Sequence, residues 1–149
     1  MKKKPSKEKK YRVVFVLGLI FWLGIIFLFS SEQNLRSSFS YNIDLVLRRT
    51  AHIVEYFILT FLIYKVLFFF KKPSLKSIFL LSLSYAFLDE WHQSFIVGRE
   101  GTVRDVAFDL VGILLGLYFI RKLKENRIEV NKFKTGESGK KSKKSRKKS

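Results

Sequence analysis

The sequence predicts an all-α fold: a polytopic membrane protein built as a bundle of four transmembrane helices. Three observations lead there. Of the 149 residues 48% are hydrophobic, 16 of them Phe, yet the formal net charge is +17. The charge gathers at the two ends of the chain, while the apolar residues gather in four blocks. Apolar spans flanked by basic tails give this layout, and the tails dilute the blocks to a mean hydropathy of only +0.06. The length allows one domain.

Residues 1–12 form a basic tail with seven Lys or Arg and one acid. Residues 13–29 are uninterrupted and apolar, and are expected to span the membrane. A cleavable signal peptide is the rival reading. The apolar core of 17 residues exceeds the usual length, and no small-x-small cleavage site follows it, so an uncleaved first span is expected. Residues 30–49, with their Ser, Asn and Asp, read as a polar loop. The second span, 51–70, carries His52, Glu55 and Lys65, the last near an end where its long side chain can snorkel.

Lys71-Lys72-Pro73-Ser74 is a short basic turn. The third block, 75–88, runs into Asp89-Glu90-Trp91-His92-Gln93, and Gly98 and Gly101 break the loop 94–102. The fourth span, 103–120, carries Arg104, Asp105 and Asp109 near its start. Residues 121–149 are a second basic tail, and its Lys/Ser-rich end from Gly136 is expected to be disordered. The expected organisation is thus a tail 1–12, a four-helix membrane domain 13–120 and a tail 121–149.

Counting Lys and Arg orients the chain. Seven lie in the first tail, three in the turn at 71–76 and thirteen after Ile120, against five on the opposite side. Twenty-three against five predicts a cell-membrane protein with both termini cytoplasmic. Eight of the twelve acids fall on the outer side or within the spans. The basic tails lack aromatic interleaving and match an anionic inner leaflet, at about 1 kcal/mol per basic residue near the surface. No nucleic-acid partner is expected. The absence of cysteine excludes disulfides and thiolate metal sites.

Ionisable groups at the centre of a span cost about 2.5–3.5 kcal/mol each, yet the outer halves of three spans are dense with them. Their spacing is helical. Arg48, His52, Glu55 and Leu59 share one face, as do Asp105, Asp109, Gly112 and Gly116. Ser82, Ala86, Asp89 and Gln93 share another, provided the third helix persists through Gln93. Gly112-x-x-x-Gly116 permits close helix approach. The three faces are expected to converge on one pocket.

The bland alternative is structural pairing, with His52 bonded to Glu55 one turn away, an arginine (Arg99 or Arg104) neutralising Asp89 or Asp105, and Glu90 and His92 in water. Metal binding would use His52 with Glu55 and Asp105 with Asp109. No further ligand pair of fixed spacing supports it, so no metal and no cofactor is expected.

Two blocks carry a family resemblance. The first is Arg49-x-x-His52-x-x-Glu55-Tyr56-x-x-Leu59. The second is Asp89-Glu90-x-x-Gln93-x-Phe95-x-x-Gly98-Arg99-x-Gly101-x-x-x-Asp105-Val106-x-x-Asp109-x-x-Gly112. Both resemble motifs of the VanZ-like membrane proteins, over about residues 13–120. Asp109 stands where Asn is frequent in that family, and Val97 where Pro is frequent. The resemblance implies a multi-pass bacterial cell-membrane protein. The family is named for a member associated with resistance to the glycopeptide teicoplanin, but the resemblance names no reaction.

The candidate site is therefore His52, Glu55, Asp89, Glu90, Gln93, Arg99, Asp105 and Asp109. The first expectation is that it binds, modifies or moves a cell-envelope lipid or precursor, with Arg99 and Arg104 contacting an anionic head group. His52, which titrates near neutral pH, and the carboxylates would handle protons. Competing readings are a hydrolase or transferase on a lipid-linked substrate, a structural subunit, and a proton-coupled transporter. Four spans with no visible repeat argue against a monomeric transporter, though a dimer could do it.

Overall fold

The computed structural model describes residues 7–31, 41–70, 73–96 and 103–146. The protein is all-helical: α1 Lys7–Ser31, α2 Tyr41–Phe70, α3 Leu75–Gln93 and α4 Val103–Arg146. Among the described residues, two helical stretches are long and apolar enough to cross a membrane, Lys7–Ser31 and Val46–Phe70. In α3 and α4 charged residues are drawn into the ends of the apolar blocks, Asp89 and Glu90 in one, Asp105 and Asp109 in the other.

Helix boundaries differ from expectation in three places. α1 starts at Lys7, inside the expected tail. α2 starts at Tyr41, ten residues before the expected span, because neither Gly nor Pro interrupts Tyr41 to Ala51 and Ile43, Leu45, Val46 and Leu47 favour helix. α4 continues to Arg146, through the segment expected to be disordered. That stretch is rich in Lys, a good helix former, and contains no proline. α3 follows expectation. Ser74, after Pro73, caps its N-terminus by accepting a 3.0 Å hydrogen bond from the Ser77 amide. Helix persists through Gln93, and the Ser94 amide donates to the Glu90 carbonyl.

Two units make up the chain, Met1–Leu117 and Tyr118–Ser149. The second is helical through Arg146 and carries an exposed Arg121–Glu125 ion pair at 2.9 Å. In the first, contacts fix the helix directions. Trp22 reaches Glu55 and Phe15 packs on Phe69 at 5.8 Å, so α1 and α2 are antiparallel. Tyr85 bonds the Leu23 carbonyl while Ser30 bonds Asp89, so α1 and α3 run the same way. His52 pairs with Asp109, and Gly116 lies against Thr60, so α4 runs with α2. Helices consecutive in the chain alternate up and down, which brings the C-terminal ends of α1 and α3 together with the N-terminal halves of α2 and α4.

The glycines of α4 set how closely it approaches α2. A Cβ at Gly112 would collide with the backbone carbonyl of Ile53, and one at Gly116 would lie 2.9 Å from the Thr60 Cβ. The core they close on is unusual. Ile26, Tyr56, Leu59, Ile78 and Ile113 are buried, but so are His52, Thr60, Ser82, Asp89, Glu90, Gln93 and Asp109. Outside, Phe21, Leu28, Val54, Leu81, Phe87 and Leu114 are exposed. Apolar residues outward with polar ones inward reverses the pattern of a soluble domain and suits a lipid surround.

Candidate functional site

Adjacent residues of α3 face different neighbours because each step along a helix turns about 100°. Asp89 faces α1. Its Oδ1 accepts from the Ser30 hydroxyl at 2.6 Å and its Oδ2 from Gln93 Nε2 at 3.0 Å, while Gln93 Nε2 also lies 3.2 Å from Ser30 Oγ. One turn on, His92 stacks on Phe27 with ring centres 4.6 Å apart, and its Nε2 is 3.1 Å from Ser31 Oγ. These contacts tie the end of α1 to the end of α3.

Glu90 faces α2 and α4. There His52 Nδ1 and Asp109 Oδ1 are 2.8 Å apart, at exposures of 5% and 0%. Glu90 joins them at 7% exposure, and one ligand-type atom from each of the three lies within 4.8 Å of the others. Asp109 reaches His52 because Gly112, one turn along, lets α4 lie against the α2 backbone. The polar inventory around this triad does not close. Among the described residues, both carboxylate oxygens of Glu90, Asp109 Oδ2 and the hydroxyl of buried Tyr56 have no hydrogen-bond partner. Tyr56 lies within electrostatic range of Asp89 and Asp109, and Glu90 of Asp105 and His52. Buried carboxylate oxygens without partners are costly, about 1–3 kcal/mol per group or more.

A groove of about 320 Å³ opens beside the first cluster. Phe27, Tyr85, Leu88, Trp91 and Phe95 make its apolar lining, and Asp89 and His92 supply its polar end. Trp91 and Phe95 are exposed and meet edge to face at 5.5 Å.

The model of the VanZ/LLP1 family matches residues 15–124, most of the chain. The chain belongs to the VanZ/LLP1 family. No curated protein and no solved structure matches it. Membership of this membrane-associated family and two helices able to cross a bilayer together point to a membrane protein.

The family-like motif residues fall in three places. His52, Glu90 and Asp109 come together across three helices. Asp89 and Gln93 join Ser30 in the neighbouring cluster. Glu55 and Asp105 are half-buried on α2 and α4, and the Glu55 carbonyl accepts from Trp22 Nε1 at 3.0 Å. Arg99 lies outside the described residues, as do Gly98 and Gly101 and the side chain of Arg104. One structural pairing proposed from spacing takes another form: His52 bonds Asp109 on α4. Asp89 bonds Ser30 and Gln93, and its expected pairing with Arg99 or Arg104 lies outside the described residues. Glu90 and His92 are not in open water: one is buried, the other is stacked. Sequence reading missed the contribution of α1, through Trp22, Ser30 and Ser31. The two serines ending the first apolar block were the one available signal.

Proposed function

We propose that this chain is a multi-pass cell-membrane protein whose four helices cross the bilayer, with both termini cytoplasmic and the site facing outward. We propose further that it binds a cell-envelope lipid or lipid-linked precursor there. The alternating helix directions, the apolar exterior and the 23-to-5 distribution of Lys and Arg support the topology. One observation carries the ligand class: an open aromatic groove that ends on Asp89 and His92 beside a buried polar cluster. A ligand with an apolar chain and a polar head matches both halves of that surface, and it can enter sideways from the membrane. The preference for an anionic head group rests on the sequence, through Arg99 and Arg104.

Binding of polyprenyl phosphate and phosphatidylglycerol to the full chain in detergent, read by native mass spectrometry, tests this. Saturable retention that weakens about tenfold in Trp91→Ala combined with Phe95→Ala is the expected result. Equal retention by the variant, or none by the wild type, overturns it. Teicoplanin susceptibility of cells with and without the gene is the second readout, and raised tolerance is expected.

A second reading, hydrolysis or group transfer on the same lipid class, draws on the 2.8 Å His52–Asp109 pair. A carboxylate that orients an imidazole prepares a general base. Turnover of a labelled polyprenyl-linked substrate, abolished by His52→Ala, would favour it over binding alone.

A further inference from the structure

We infer that His52, Glu90 and Asp109 form a binding site for one divalent first-row transition-metal cation, with Zn²⁺ as the natural first probe. The inference stands on the geometry of these three side chains and does not need the lipid reading. Three observations meet at this point.

The first is convergence. α2, α3 and α4 each supply one potential ligand, and one atom from each lies within 4.8 Å of the others. The sequence separations, 38 residues from His52 to Glu90 and 57 from His52 to Asp109, make this a product of the fold and not of local helix periodicity.

The second is unmet demand. Glu90 is 93% buried by its 7% exposure, and among the described residues neither of its oxygens has a partner; Asp109 is fully buried and its Oδ2 has none among them. Three acceptor atoms in one buried place ask for positive charge. Two ionised carboxylates and a neutral imidazole carry two negative charges, which a divalent cation neutralises.

The third is spacing and ligand type. His52 Nδ1 and Asp109 Oδ1 are 2.8 Å apart, the separation of adjacent ligands at 90° around an ion with bonds of about 2.0 Å, and a tetrahedral ion needs them to part by only about 0.5 Å. A cation can therefore take the place of the proton those atoms share, with His52 Nδ1 as its nitrogen ligand and Glu90 closing in by side-chain rotation. One imidazole and two carboxylates suit Zn²⁺ or Mn²⁺ better than Mg²⁺, which favours an all-oxygen shell and keeps its waters. With no cysteine in the chain, sulfur ligation is excluded. Gly112 and Gly116 serve this site by fixing the α2–α4 separation.

Titration of the full chain in lipid-free detergent, stripped with chelator and then loaded with ZnCl₂ under calorimetry, is the test. One equivalent per chain is expected, weakened at least tenfold in Glu90→Gln and in Asp109→Asn and changed less than threefold in Arg121→Ala, an exposed position. X-ray absorption of the zinc-loaded wild type keeps the test open if a variant fails to fold. It should show nitrogen and oxygen ligands with an imidazole signature that persists in His92→Gln. No stoichiometric uptake by the wild type, equal affinity in a folded Glu90→Gln, or a spectrum without imidazole would each overturn the assignment. Because no lipid is present, these outcomes leave the envelope-lipid reading to its own experiment.

Discussion

Asp89 and Glu90 are neighbours in sequence, both carboxylates and both buried, yet they meet opposite surroundings. Every oxygen of Asp89 is matched to a donor on Ser30 or Gln93. Among the described residues, neither oxygen of Glu90 is matched. The first cluster fastens α1 to α3. The second pairs His52 with one oxygen of Asp109 and leaves the other Asp109 oxygen and both of Glu90 unmatched among the described residues. Burial alone does not separate the two carboxylates, but the matching of their oxygens does. The two clusters lie on different faces of one helix, about 100° apart.

Removing the spacing that creates the second cluster should have the largest effect. Gly112→Val pushes a branched side chain into the Ile53 carbonyl, a backbone group that cannot rotate aside. A loss of about 3 kcal/mol or more is expected, read as a fall in melting temperature and in purified yield. Breaking the completed cluster comes next. Asp89→Ala leaves Ser30 and Gln93 buried without their acceptor, and should cost about 1–3 kcal/mol. An unchanged melt would mean that the first cluster is not a fastening.

Smaller again is Ser31→Ala, which removes the contact to His92 and one bond to the Phe27 carbonyl. Because this pair is only part-buried, about 0.5–1 kcal/mol is expected from the same melting assay. Arg121→Ala, in an exposed i,i+4 pair, should stay within about 0.5 kcal/mol of the wild type. It sets the baseline against which the buried clusters are judged.

Much of this arrangement was legible in the sequence. Helical spacing put Ser82, Ala86, Asp89 and Gln93 on one face, and all four are buried. The Gly112-x-x-x-Gly116 stripe does lie against a neighbouring helix, α2. Periodicity describes one helix at a time, however, and cannot choose partners between helices. It offered Glu55 to His52, whereas the closest carboxylate comes from α4, across the gap the glycines leave. Nor could it show that α1 contributes hydroxyls, since Ser30 and Ser31 resemble the start of a loop. The early start of α2 and the long run of α4 were hidden for a related reason. Ser, Asn, Asp and Lys favour loops only weakly, and without Pro to stop it a helix continues through them.

The central claim is that Asp89 holds the helices together while Glu90 is held for chemistry. Melting the metal-free Glu90→Gln and Asp89→Asn proteins side by side with the wild type tests it most directly. Glu90→Gln removes an uncompensated buried charge and should melt at or above the wild-type temperature, while Asp89→Asn should melt below it. A fall in Glu90→Gln as large as that in Asp89→Asn would contradict the claim and make both residues parts of the scaffold.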